Sequence, residues 1–137
     1  MATQKASYSS NATHGVGRRK SSVARVWAKP GKGSITVNGK DFKQYFDTEL
    51  SLQKVLLPLK VTGLTSSTDI MVNIFGGGLK SQAGATQLGI ARALLASNED
   101  FRKVLRQNDL LTVDSRVKER KKYGQKAARR KFQFVKR

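Results

Sequence analysis

The charged side chains of this chain are distributed so unevenly that they divide it into three parts. Residues 1–32 carry seven basic side chains and no acidic one, and residues 33–113 carry nine basic and seven acidic ones. Residues 114–137 carry eleven basic side chains against two acidic ones. A dense charge of one sign repels itself in a compact state. The distribution therefore predicts a nearly neutral globular body with a strongly basic segment at each end.

The formal charge of +18 on 137 residues favours a polyanionic partner. Nucleic acid is the commonest such partner, and an anionic membrane is the second. A basic segment is often only a solvated face or a disordered tail, but two of them flanking a neutral body favour nucleic acid. We expect no membrane partner, because no apolar run approaches the roughly 18 residues of a membrane-spanning helix and residues 1–13 do not resemble a signal peptide.

Residue types that carry chemistry are scarce in this sequence. There is no cysteine, which excludes disulfides and thiolate metal sites, and the one histidine, His14, is expected to be an ordinary loop residue. Asp41 is explained by helix capping, and so is the adjacent pair Glu99 and Asp100. We therefore expect no enzyme activity, no cofactor, no metal and no small-molecule substrate.

The apolar pattern predicts one α+β domain at residues 15–113, a mostly antiparallel sheet with helices on one face, preceded by a flexible arm of residues 1–14. Strands are predicted at residues 16–28, 34–38, 69–75 and 110–113, the first two paired as an antiparallel hairpin. Helices are predicted at residues 41–46, 48–57 and 81–97 and after Asn98, with Pro58 ending or bending the second.

The same spacing predicts which side chains of these elements face the core. The small residues Gly84, Ala85 and Gly89 are expected to allow close packing of the longest helix. The predicted inner faces consist of Phe42, Tyr45 and Phe46; Leu52, Val55 and Leu56; Ile70, Val72 and Ile74; Leu88, Ala91 and Leu95; and Phe101, Val104 and Leu105.

A glycine-rich turn, residues 76–82, lies between a predicted strand and the longest predicted helix. Backbone N–H groups at such a helix start suit a phosphate, and Lys80 adds positive charge. A P-loop would have glycine directly before Lys80, where Leu79 stands. The turn also resembles the G-L-x-S-x-A loop of small-molecule kinases such as those for galactose and homoserine. A tight turn of small residues, contact with RNA phosphate, and nucleotide binding all remain as interpretations.

The basic segments have their own alternatives. In a strand, Arg18 and Lys20 would point to one side and Arg19 to the other, which gives either a nucleic-acid contact or a solvated edge that prevents aggregation. Residues 114–137 have no apolar face, so we expect this tail to be disordered until a partner orders it. Its arginines can grip phosphates, and its aromatic side chains, Tyr123, Phe132 and Phe134, could stack on splayed bases.

Three separated blocks of the sequence occur in the order found in a known family. They are Gly17-Arg18-Arg19-Lys20-Ser21-Ser22-Val23-Ala24-Arg25-Val26; then Gly76-Gly77-Gly78, Ser81-Gln82, Ala85, Gly89 and Ala91-Arg92-Ala93-Leu94; and last Glu119-Arg120-Lys121-Lys122-Tyr123-Gly124, Ala128-Arg129-Arg130, Gln133-Phe134 and Lys136-Arg137. Over about residues 15–137 the chain thereby resembles the ninth protein of the small ribosomal subunit, in its bacterial and organellar form.

This resemblance implies a left-handed βαβ crossover, related to the fold of those kinases, and explains the kinase-like turn as shared architecture. It also implies a structural role in the head of the small subunit beside neighbouring head proteins. The tail would thread through ribosomal RNA and reach the anticodon stem-loop of transfer RNA in the P site. The residues predicted to bind ribosomal RNA are Arg18, Arg19, Lys20, Lys80, Arg116, Lys118, Arg120, Lys121, Lys122, Tyr123, Lys126, Arg129, Arg130 and Lys131, and those predicted to bind transfer RNA are Lys136 and Arg137.

The chain departs from the family pattern at a few tail positions. Val113 stands where arginine is usual, Ser115 follows Asp114 where proline or alanine is usual, and Val135 stands where serine is usual. Phe132 replaces a proline, so the tail loses stiffness that stacking by Phe132 could restore. The fit favours a plastid ribosome over one in the bacterial cytoplasm. A free-standing nucleic-acid chaperone and a small kinase are the alternative functions.

Overall fold

In the computed structural model, which describes residues 11–134, five strands form one sheet and the helices pack on one side of it. The strands are β1 (Thr13–Arg19), β2 (Ser22–Pro30), β3 (Ile35–Val37), β4 (Lys40–Asp41) and β5 (Thr68–Phe75). The helices are α1 (Phe42–Tyr45), α2 (Glu49–Thr62), α3 (Leu79–Ser97) and α4 (Arg102–Gln107), and a 3₁₀ turn at Glu99–Phe101 leads into α4. Of the predicted arm, residues 1–10 lie outside the described residues, and Thr13 and His14 belong to β1.

The sheet has the strand order β1-β2-β5-β3-β4. Every pair is antiparallel except β3 with β5, which run parallel. Parallel neighbours need a crossover, and α1 and α2 supply it between β3 and β5. The α+β class, the mostly antiparallel sheet and the single helical face are therefore confirmed. The left-handed sense of the crossover stays an implication of the resemblance.

The prediction of one strand at residues 16–28 was wrong, because the chain reverses at Lys20 and Ser21. Arg19 pairs with Ser22, so Lys20 and Ser21 alone form the turn between β1 and β2. Lys20 has φ 52°, a conformation that is uncommon for lysine. The reversal therefore falls on a residue that does not predict it. His14, expected in a loop, consequently lies in β1 opposite Trp27.

The predicted hairpin between the strands at residues 16–28 and 34–38 was also wrong. In the structure β5 lies between β2 and β3 and pairs with both. Ile70, Val72 and Ile74 of β5 are all at most 5% exposed, and burial of these apolar side chains favours a place for β5 in the interior of the sheet.

Helix α2 runs past Pro58 to Thr62, so the predicted end at residue 57 was wrong. A proline inside a helix costs about 3 kcal/mol. Here both Pro58 and Leu59 are buried, and their burial offsets that cost. The helix ends at Gly63, whose φ of 72° suits a left-handed cap, and the N–H of Leu64 donates to the carbonyl of Leu59 at 3.0 Å.

The predicted strand at residues 110–113 was wrong because its first residue closes α4. Asp109 takes the left-handed conformation, with φ 54°, and its N–H donates to the carbonyl of Arg106. The N–H of Leu110 donates to the carbonyl of Leu105 at 3.0 Å, and both leucines pack with Ala91. Leu110 is thus the apolar residue of a helix C-terminal cap.

Most of the predicted inner faces are buried. The exception is Val104, which is 37% exposed and was wrongly assigned to the core. Tyr45, Leu52, Leu56, Leu95 and Phe101 are partly buried against the core. The predicted residues that are buried are Phe42, Phe46, Val55, Ile70, Val72, Ile74, Leu88, Ala91 and Leu105.

Strand β1 touches helix α3 backbone to backbone, through glycine on both sides. A Cβ on Gly17 would lie 1.8 Å from the carbonyl oxygen of Ala85, and one on Gly15 would lie 2.4 Å from that of Gly89. A Cβ on Gly89 would in turn meet Val26 at 2.6 Å. The close packing expected at Ala85 and Gly89 is therefore confirmed.

We expect Gly17→Ala to destabilise the fold by about 3 kcal/mol or more, because the added methyl meets a backbone atom that cannot move without shifting α3. Urea unfolding followed by circular dichroism measures this. Gly78→Ala is the control, since a Cβ there meets nothing within 4 Å, and we expect it to cost about 0.5–1 kcal/mol through the loss of glycine from the N-cap of α3. Equal midpoints for the two variants would contradict the backbone contact.

Candidate nucleic-acid interface

The basic residues at the end of β1 lie on different sides of the sheet. Arg18 is exposed, whereas Arg19 is half-buried and lies against Gly84 of α3. Lys20 lies in the turn, so the predicted alternation of the three side chains ends at Arg19. These residues nevertheless occupy one end of the molecule, close to where the tail leaves the body.

The tail is joined to the body by an ion pair at its first residue. A carboxylate oxygen of Asp114 lies 3.3 Å from Arg19 and 2.8 Å from Arg116. Hydrogen bonds from the Arg116 side chain and backbone, together with the charge of Arg19, hold the pKa of the Asp114 carboxyl well below its usual value. Asp114 therefore stays ionised at neutral pH and fixes the point from which the tail starts.

A cationic groove surrounds this ion pair. Its walls come from β1, α2, α3 and the start of the tail, and they place Lys54 beside Arg18, Arg19 and Arg116. Lys54 was missed by the sequence analysis, because a single lysine on an amphipathic helix carries no signal. Asp109 and Asp114 also line the groove, so two acidic groups partly balance four basic ones.

Beyond Arg116 the described tail folds back on itself around Glu119. The Glu119 carboxylate accepts from Lys122 and, at 2.9 Å, from Arg129, and these two contacts lower the pKa of the carboxyl. An isolated bridge pairs Gln125 with Lys131. Exposed ion pairs contribute about 0–1 kcal/mol, so this loop opens easily for a stronger anionic partner.

The tail presents its basic and aromatic side chains to solvent. Tyr123 is 96% exposed, Phe134 is 89% exposed, and the Lys126 ammonium lies 5.8 Å from the ring centre of Phe132. Rings and cations so exposed can stack on bases and meet phosphates without rearranging a core. Among the basic tail residues assigned to ribosomal RNA, Lys122 is half-buried, and the exposed ones are Arg116, Lys118, Arg120, Lys121, Lys126, Arg129, Arg130 and Lys131. Lys136 and Arg137 lie outside the described residues.

The glycine-rich turn uses its own polar groups internally. The N–H of Gly78 donates to Ser81 Oγ at 3.1 Å, and the carbonyl of Gly76 accepts from Ser22 Oγ and Gln82 Nε2. A Cβ on Gly77 would meet Ser22 Oγ at 2.3 Å. The geometry fits a tight packing turn better than a nucleotide cradle. Lys80 is exposed beside it and free to approach an external phosphate.

Two further kinds of site are absent from the described residues. No group of three or more histidine, aspartate or glutamate side chains among residues 11–134 is arranged to hold a metal ion. No helix in the same part of the chain combines the length and the apolarity needed to cross a membrane.

We expect Arg19→Gln to release the start of the tail, so that trypsin cleaves after Arg116 and Lys118 up to about fivefold faster, the range of an exposed ion pair. Arg18→Gln removes the same charge next door without touching Asp114 and serves as the control. The pKa of the Asp114 carboxyl is depressed in the folded state. The ion pair between Arg19 and Asp114 is therefore fully present above pH 3.8, the ordinary pKa of an aspartate, and is lost as the pH falls below it. Equal cleavage rates in both variants would show that the ion pair between Arg19 and Asp114 does not hold the tail on the body.

Comparison with known proteins places these features in a family. The family model described as ribosomal protein S9/S16 matches residues 17–137. The small ribosomal subunit protein uS9 of Syntrophobacter fumaroxidans is 50% identical over 124 residues, which are 90% of this chain and 95% of the relative. The uS9 protein of Cytophaga hutchinsonii is 54% identical over 122 residues, 89% of this chain and 95% of the relative.

A third relative, the uS9 protein of Borrelia turicatae, is 50% identical over 123 residues, with 90% of each chain covered. These matches include both the folded body and the basic tail, so the likeness is not confined to one motif. The chain belongs to the ribosomal protein S9/S16 family, as the three sequence blocks predicted.

Proposed function

We propose that the chain, as a structural constituent of the small ribosomal subunit, binds ribosomal RNA in the subunit head and reaches P-site transfer RNA with its C-terminal end. The single observation that carries this proposal is the exposed basic tail, which the Asp114 ion pair holds at the cationic end of the body. Phosphate contacts by lysine and arginine supply most of the affinity of such segments for RNA.

The basic residues of the body and of the tail together support ribosomal RNA as a ligand. The body offers Arg18, Arg19, Lys20 and Lys80 at one end, and the tail continues from there with one basic side chain after another. Because Glu119 holds Lys122 and Arg129 only through exposed ion pairs, RNA phosphates can replace it and draw the tail out. The tail then orders on RNA rather than on a protein core.

Transfer RNA is proposed for the tip, on grounds of length and charge. An extended chain over residues 116–137 spans at most roughly 70–80 Å. This reach would carry Lys136 and Arg137 far from the body that anchors them, so we propose that the tip is the part of the chain that meets transfer RNA in the P site. Neighbouring head proteins are the proposed contacts of the remaining surface.

Membership in a ribosomal family makes the chain a non-enzymatic component, and the kinase alternative is dropped. A plastid ribosome stays our preferred location, although the relatives named above are bacterial. A free-standing nucleic-acid chaperone would share the charge pattern but would not co-sediment with small subunits at high salt, which is the experiment that separates the two.

Binding of the full chain to small-subunit ribosomal RNA should weaken about 10³- to 10⁵-fold between roughly 50 and 200 mM salt, if 6–10 phosphates are neutralised. Replacing Lys118, Arg120 and Lys121 by glutamine should lower the slope of log affinity against log salt by about 2–3. The matched control replaces Lys43, Lys60 and Lys103, which removes the same charge from the body. Equal slopes in the two triple variants would reject the tail as the main RNA contact.

Deleting residues 134–137 should leave assembly nearly intact and weaken the binding of P-site transfer RNA. We expect a factor of about fivefold, or ~1 kcal/mol, for each phosphate interaction that the deletion removes. Filter binding of transfer RNA to subunits that carry the shortened protein measures this at low magnesium. Lys60→Gln in the full chain is the control. Normal incorporation with unchanged P-site affinity would remove Lys136 and Arg137 from the transfer-RNA site.

A further inference from the structure

One face of the sheet carries no helix in the described part of the chain. Along β2, the buried side chains of Ser22, Ala24, Val26 and Ala28 point toward the helices, so their neighbours point the other way. The same alternation holds in β1 and β5. We call the outward residues of these strands the open face; they are His14, Val16 and Arg18; Val23, Arg25, Trp27 and Lys29; and Asp69, Met71, Asn73 and Phe75.

The strand register arranges the open face in rows that cross the sheet. His14, Trp27 and Met71 form one row, and the His14 and Trp27 rings are 4.9 Å apart. Arg18, Val23 and Phe75 form another row, with Phe75 57% exposed.

Between these two rows lies a polar one. It consists of the polar residues Arg25 and Asn73 and of Val16 at the edge strand, with Arg25 exposed. Four residues along β5 separate Met71 from Phe75, so the two aromatic rows are about 13 Å apart. A cation and an amide thus lie between two aromatic platforms.

We propose that the open face is a second RNA-binding surface of this protein. Trp27 and Phe75 stack on unpaired bases of ribosomal RNA, while Arg25 and its flanking cations meet the phosphates between them. Aromatic side chains on a sheet bind single-stranded bases in this way, because every base has a flat face to stack. This inference rests on the proposed binding of ribosomal RNA and adds a site to it, away from the tail.

Charge favours RNA over a protein partner on this face. Arg25 and Lys29 are exposed there, and the exposed Arg18 lies at the margin that this face shares with the cationic groove. Asp69 is the one acidic side chain among the open-face residues. Its carboxylate already accepts backbone N–H groups from the loop 32–34 at 2.8–3.0 Å. The cores of protein interfaces are depleted of charged residues, while a polyanion pairs with each of these cations.

Trp27 is the single tryptophan of the chain, so its fluorescence reports on this face alone. The test is a titration of the full chain with a transcript of small-subunit ribosomal RNA, in which Trp27 emission is followed beside filter binding. Phe75→Ala and Arg25→Ala should each weaken binding at least about fivefold. The controls Leu50→Ala and Arg106→Ala, which remove an exposed apolar and an exposed basic side chain from α2 and α4, should change it less than about twofold.

A cross-linking experiment identifies what covers the face in the subunit. Because the chain has no cysteine, Thr36→Cys places a single photoactivatable label in the row of Trp27, and Lys103→Cys places one on α4 as a control. A cross-link from residue 36 to ribosomal RNA supports the proposal, and one to a ribosomal protein overturns it.

The fluorescence titration separates this inference from the proposed function. Unchanged Trp27 emission, with normal filter binding and with Arg25→Ala behaving like Arg106→Ala, overturns the open face and leaves the tail as the RNA site. Loss of all filter binding in the unaltered chain would instead overturn the proposed function itself.

Discussion

The contact between β1 and α3 is the constraint on which the rest of this structure depends. Gly15 and Gly17 let the strand approach the helix so closely that backbone atoms touch. This approach fixes the edge of the sheet, and with it the turn at Lys20 and the position of Arg19. The cationic end of the body is therefore a consequence of glycine packing.

The Asp114 carboxylate links that packing to the tail. It pairs with Arg19 on the body and with Arg116 on the tail, so a single acidic group sets where eleven basic side chains begin. Both ion pairs are at least partly exposed, which makes them weak in comparison with phosphate contacts. The arrangement favours a tail that starts at a defined place and remains free to follow RNA.

Much of the architecture was predictable from local pattern. The alternation at residues 69–75 and the long helical spacing after Gly78 identified β5 and α3 nearly to the residue. The turn at Lys20 was missed because lysine is uncommon in that conformation. The helix cap at Leu110 was mistaken for a strand because the apolar residues that follow a helix can look like a short strand. Lys54 was missed because only the tertiary fold brings it beside Arg18 and Arg19.

The sequence by itself determined the class of fold, the family and the polyanionic partner, since these depend on composition, on periodicity and on motifs that are contiguous in the chain. The tertiary structure alone decided which strands are neighbours, where the tail is tied and which sheet face stays open. The physical reason is that strand order and ion pairing depend on the burial of whole elements against each other. Residues such as Arg19 and Asp114, far apart in the chain, carry no local sign that they will meet.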